Sequence, residues 1–156
     1  ARRLKLKTIS DAAQNVPAWR AGFGYEFMER QDGFPGLGKA YNLRLDGSPR
    51  TMELGLLYRA LMEKQVDLVA GNATDGIISA SDLVILEDDR HYFPPYDAVP
   101  VAGRKVMEEH PELGGALRAL AGKISEDEMR QMNHAVDGLH REIRQVVNDF
   151  LRAKRL

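Results

Sequence analysis

Apolar positions change their rhythm near Pro100. Before it, short apolar runs alternate with helical spacings and Gly/Pro punctuation, the texture of an α/β domain. Ser10 is placed to cap a helix over residues 11–15, which Pro17 closes. Residues 19–23 read as a strand and residues 25–30 as a short helical turn. Gln31-Asp32-Gly33-Phe34-Pro35-Gly36 is a loop by composition. Residues 44–52 suggest an extended pair around Asp46-Gly47. Residues 52–64 read as a helix, because Leu54, Leu57, Tyr58 and Leu61 share one face at helical spacing. Residues 66–70 then form an apolar strand, and residues 83–86 a second one.

After Pro100 the pattern is almost wholly helical. Pro111 suits a first helical turn and Gly122 a helix end. Ser125 and Glu128 have the spacing of a capping box. The helix they open is predicted to carry Met129, Met132, Val136, Leu139, Ile143, Val147 and Phe150 on one stripe, which needs a surface to cover. The expected division is an α/β lobe over residues 1–103 and a helical extension over residues 104–156.

Composition narrows the function classes. The chain has 156 residues, 44% hydrophobic and 29% charged, with a formal net charge of -1. That balance gives no electrostatic reason to propose nucleic acid or an anionic membrane surface as partner. The absence of cysteine excludes disulfides, thiolate catalysis and cysteine-ligated metal, without fixing a compartment. No window approaches a membrane-spanning apolar run. The chain opens on Ala1-Arg2-Arg3 with no charged-then-apolar leader, so a signal peptide is expected to have been removed or to lie further upstream.

Enzymatic constellations are missing from the pattern. Asp88-Asp89 is a carboxylate pair, but neighbours at a strand end point to opposite sides. His91, His110, His134 and His140 lack metal-ligand spacing, and no serine sits in a nucleophile-elbow pattern. Gly33, Gly36 and Gly38 make no phosphate loop, since no Lys-Ser/Thr follows. The expectation is a protein that is not an enzyme and uses no cofactor or metal.

Two stretches exceed generic texture. One runs from Val66 through Asn72-Ala73-Thr74-Asp75-Gly76. The other runs from Leu83 through Asp88-Asp89-Arg90-His91-Tyr92-Phe93-Pro94-Pro95-Tyr96-Asp97. With Glu26-Phe27, Arg30, Asp32-Gly33, Pro35-Gly36-Leu37, Tyr58-Arg59-Ala60-Leu61, His110-Pro111-Glu112-Leu113 and Asn133-x-x-Val136-Asp137, they resemble the binding proteins of glycine betaine, choline and carnitine ABC importers. The resemblance implies the type II periplasmic binding fold, with this chain as the second lobe plus C-terminal helices that return to the first. The first lobe's N-terminal half has no counterpart here, so the chain is expected to be an excised fragment, the alternative being a natural half with its partner encoded elsewhere. It further implies an extracytoplasmic location, a small osmolyte as ligand and a membrane permease as partner. An exposed apolar stripe on the helices invites homodimerisation. The rival reading is a ligand-sensing or interaction domain that uses the same lobe without transport.

The family holds its quaternary ammonium in a cage of tyrosine faces, each contact worth about 0.5–2 kcal/mol. The resemblance puts one ring at Tyr96. It puts the other at Asn72, where an amide offers hydrogen bonds instead of a π face. Tyr96 has a second reading as a core tyrosine behind two prolines, and Asn72 as a plain turn residue. Arg30 resembles the arginine whose planar fork takes the ligand carboxylate, and reads equally as a surface arginine. Thr74 and Asp75 read as turn or hinge residues, with Asp75 able to orient the cage.

Overall fold

The computed structural model describes residues 4–15, 19–45, 47–95 and 97–156. Contacts divide the chain into two compact units, Ala1–Asn72 with Leu83–Pro94 and Ala73–Asp82 with Pro95–Leu156. The chain therefore passes from one unit to the other after Asn72, after Asp82 and after Pro94.

The first unit is built on a parallel sheet. Strand β1 (Ala21–Phe23) lies at its centre, flanked by β2 (Arg50–Thr51) and β3 (Leu68–Val69). Every residue of β1 is buried, as expected of a strand covered on both faces. Helices α1 (Ile9–Asn15), α2 (Tyr25–Glu29), α3 (Phe34–Tyr41) and α4 (Leu54–Met62) complete it. Ala12, Leu37, Tyr41 and Leu43 form a buried cluster, with Phe27, Phe34, Leu86 and Tyr92 packed against it. The Phe23 ring lies 5.3 Å from Phe27 and 5.0 Å from Phe34, distances at which aromatic pairs attract beyond the area they bury.

Five local expectations need correction in this unit. Thr8, not Ser10, caps α1: the Thr8 hydroxyl accepts from the Asp11 N–H at 3.0 Å and the Asp11 carboxylate accepts from the Thr8 N–H at 3.0 Å. Ser10 already lies inside the helix, where its N–H donates to Asp89 at 3.1 Å. Residues 31–36 are not all loop, because α3 starts at Phe34 with Pro35 in its first turn, where a missing N–H costs nothing. Residues 44–52 yield only β2, which pairs in parallel with β1 and not as a hairpin; Asp46 lies outside the described residues, as does Pro17. Residues 83–86 form no strand; the sole link there is a parallel bridge between Thr8 and Glu87. In α4 the predicted face holds at Leu57, which is 1% exposed, but Leu54 is 64% exposed.

The second unit is helical, with α5 (Ile77–Ala80), α6 (Arg104–Glu109), α7 (Glu112–Ala119), α8 (Glu126–Asn133), a π turn over His134–Gly138 and α9 (Ile143–Lys154). Pro111 stands just before α7. The capping box forms: Ser125 Oγ accepts from the Glu128 N–H at 3.3 Å and Glu128 accepts from the Ser125 N–H at 3.0 Å. The single long helix does not. Leu139 N–H donates back to the His134 carbonyl at 3.0 Å, a widened turn, and His140 adopts φ 54°. Gly138 allows this, because an added Cβ would fall on the His134 imidazole. The break folds the stripe onto itself. Met129, Met132 and Val136 on one side and Val146, Phe150 and Leu151 on the other line an apolar hollow of about 380 Å³. Lys154 Nζ, 2.5 Å from Glu128, ties the end of α9 to the start of α8.

Candidate functional site

Sheet topology singles out one edge. From the central β1 the chain goes to β2 on one side, then returns past β1 to β3 on the other. In open parallel sheets, ligands bind beyond the carboxyl ends of the strands where the winding reverses, because the diverging connections leave a crevice. Gly22 pairs with Arg50 on β2 and with Val69 on β3. Counting three residues onward from that row reaches Tyr25, Glu53 and Asn72, each just past the carboxyl end of its strand. Asn72 is thus placed at the switch-point edge by β3. Gly24 makes the turn out of β1 tight: Leu54 Cδ2 lies only 2.7 Å from where a Cβ would stand.

Arg30 ends α2. Its Nε donates to Asp32 Oδ1 at 2.9 Å and its Nη2 to Oδ2 at 2.6 Å, a two-pronged pair on the surface. Asp32 lies below the usual carboxylate range, chiefly through that hydrogen bond. Arg30 therefore has both prongs of its fork engaged by Asp32, with Nη1 left outside the pair.

Thr74 and Asp75 lie in the second unit, in the turn that opens α5. Three residues of the C-terminal helices clasp that turn. Arg130 Nη1 donates to the Ala73 carbonyl at 2.7 Å, and Asn133 Nδ2 to the Thr74 carbonyl at 2.8 Å. At Gly76 a Cβ would stand 2.7 Å from both Asn133 C and His134 Cα. Gly76 has φ -61° and ψ -32°, ordinary helical values, so close approach of another backbone is what demands glycine there. The sequence signal for this clasp was Asn133, which lay in the motif without an assigned partner.

Tyr96 lies outside the described residues. The segment leading to it in the first unit is tightly held. Tyr41, 2% exposed, donates its hydroxyl to Asp88, while that hydroxyl accepts from the Arg90 N–H at 2.8 Å. Asp88 also accepts from the Phe93 N–H at 2.8 Å, and the Arg90 guanidinium lies 5.0 Å from the Tyr41 ring centre. Burial, with the Asp88 hydrogen bond adding to it, pushes the Tyr41 phenol up to about 12. Asp88 accepts from the Tyr41 hydroxyl and Asp89 from the Ser10 N–H, with Tyr41 also bonded to Asp89, so the two carboxylates share a partner instead of serving opposite sides. Sequence reasoning left Tyr41 and Tyr25 unassigned. Among the described residues no group of three or more His, Asp or Glu side chains is placed to hold a metal ion, and no helix is long and apolar enough to cross a membrane.

Comparison with known proteins bears on this arrangement. Residues 1–153 match the family described as the substrate binding domain of ABC-type glycine betaine transport system. The carnitine transport binding protein OpuCC of Listeria monocytogenes is 38% identical over 152 residues, 97% of this chain and 49% of that protein. The glycine-betaine-binding protein of Pseudomonas aeruginosa is 35% identical over 132 residues, 84% of this chain and 42% of that protein. A crystal structure of a glycine betaine/carnitine/choline ABC transporter superposes with a TM-score of 0.89 at 39% identity, covering 99% of this chain and 57% of that one. The chain spans about half the length of the curated relatives it matches. Apo YehZ of Escherichia coli, at 23% identity and a TM-score of 0.75, shares the fold. A periplasmic-binding-protein fold and a match over nearly every residue lead to one conclusion: this chain belongs to the substrate-binding domains of ABC-type glycine betaine transport systems.

Proposed function

We propose that this chain is the second ligand-holding lobe, with C-terminal helices, of an extracytoplasmic protein that binds a small quaternary-ammonium or zwitterionic osmolyte and delivers it to an ABC permease. The observation that carries the reading is the family match over residues 1–153, the motifs following one another in family order. The relative EgtU of Helicobacter pylori, named as an ergothioneine transport permease and binding protein, is 31% identical over 151 residues, and favours a permease as partner over a soluble sensor. No chemistry is done on the ligand; its enclosure provides selectivity and signal.

Within this reading Asn72 at the switch-point edge contacts the ligand, Tyr96 contacts its cationic head, Arg30 supplies the carboxylate site, and the Thr74–Asp75 turn is a clasped support. Self-association through exposed Leu139, Ile143 and Val147 of the second unit is part of the same proposal. Calorimetry with glycine betaine, carnitine and choline tests it. In a two-lobed protein that includes this chain, at least one should bind at micromolar concentrations. The chain alone should bind no tighter than about millimolar, roughly 4 kcal/mol, because half a cage leaves one face of the ligand in water. No measurable binding to any of the three in the two-lobed protein refutes the reading.

A further inference from the structure

We propose that Tyr25 is a further ring, beside Tyr96, that reads the cationic head in this lobe, taking over just after β1 the aromatic role that Asn72 cannot play after β3. The inference rests on the osmolyte-binding reading and adds a residue to it. Three observations meet at this position. The first is position: Tyr25, Asn72 and Glu53 stand three residues beyond the paired row Gly22, Val69 and Arg50, so each follows the carboxyl end of one of three neighbouring strands. The second is exposure. Tyr25 is 53% exposed, and no ring pair among the described residues includes it, whereas Phe23, Phe27, Phe34, Tyr92 and Phe93 are all paired. A large aromatic left open at the edge where parallel sheets take ligands is an uncommitted π face.

The third observation is the company it keeps. Glu26 follows it in sequence and Glu53 follows the neighbouring strand β2, both exposed. Leu54, 64% exposed, covers Gly24 immediately before it. An aromatic face beside an aliphatic wall, with two carboxylates near, matches an organic cation whose charge is buried under methyl groups. It suits neither an anion nor a metal ion. A quaternary ammonium gains from the ring and from the field of the acids, yet needs no hydrogen-bond acceptor. The Asn72 amide then reads the polar tail by hydrogen bonds, which a second tyrosine there could do only through its hydroxyl.

Nuclear magnetic resonance titration of this chain separates the idea from a merely structural Tyr25. The probes are choline and its neutral carbon isostere, 3,3-dimethylbutan-1-ol, up to about 50 mM, above the millimolar constants expected of a single lobe. Choline should shift the Tyr25 ring and Asn72 side-chain resonances, and the isostere should not. Tyr25→Leu should weaken choline about two- to thirty-fold, the range of one cation–π contact, while Tyr25→Phe keeps it. If choline shifts other residues and Tyr25→Leu leaves its affinity unchanged, the assignment of Tyr25 is overturned and osmolyte binding stands. If neither choline, glycine betaine nor carnitine shifts any resonance, the assignment of Tyr25 is overturned, and osmolyte binding falls with it only if the two-lobed protein binds none of the three.

Discussion

Gly76→Ala should be among the most damaging single-methyl changes this chain can suffer. The new Cβ would stand 2.7 Å from Asn133 C and from His134 Cα, on the backbone where α8 passes into the π turn. Backbone cannot swing aside as a side-chain tip can, so the Thr74–Gly76 turn and α8 must separate. Overpacking of this kind costs about 1–3 kcal/mol. Separation also strains the bonds from Arg130 to the Ala73 carbonyl and from Asn133 to the Thr74 carbonyl, each worth about 0.5–3 kcal/mol net. Partial loss of one of them brings the sum to about 3 kcal/mol. For a chain of this size that corresponds to a melting temperature lower by about 6–12 °C. Gly115→Ala is the internal control: it sits in α7 with nothing within 4 Å of an added Cβ, so the better helix former should stabilise by up to about 1 kcal/mol. Thermal and urea unfolding followed by circular dichroism would measure both. A Gly76→Ala variant as stable as Gly115→Ala would refute the clasp.

Three further outcomes are expected. Tyr41→Phe should cost about 1–3 kcal/mol in urea unfolding, because it leaves the half-buried Asp88 carboxylate and the Arg90 N–H without the hydroxyl they share; a loss comparable to a surface change would mean the network carries no stability. Glu128 is held down to about 2, first by its hydrogen bond to Lys154 and then by the Ser125 cap. A depressed carboxylate adds stability above its unfolded value and loses it as pH falls through its folded value, so stability should decline between about pH 4.5 and 2, and Glu128→Gln should flatten that decline in urea midpoints. Arg30→Ala in a two-lobed protein should weaken glycine betaine by about 1.5–3 kcal/mol and choline hardly at all; equal losses by calorimetry would make Arg30 a brace for Asp32 alone.

Much was legible in the chain itself, for local reasons. β1, α2, α4 and β3 follow from short-range apolar spacing, and the Ser125–Glu128 box from a pattern complete within four residues. The family was legible because its motifs are contiguous in sequence. Where partners lie far apart in the chain, the sequence was silent. A central strand decided that Arg50–Thr51 alone of residues 44–52 pairs, and in parallel, while next to Leu83–Leu86 only Glu87 bridges, to Thr8, among the described residues. The stripe from Met129 to Phe150 has helical period throughout, but period alone cannot reveal that the chain turns at His140 so that the stripe packs on itself. Glycine at position 76 looked like turn chemistry; only the approach of the Asn133–His134 backbone gave its reason. Likewise Tyr25 was an unremarkable helix residue until strand pairing put the end of β1 beside the end of β3, which leads to Asn72. Local propensity and motif are written residue by residue along the chain, whereas which strand exits share an edge depends on pairing between segments dozens of residues apart, and that only the folded sheet decides.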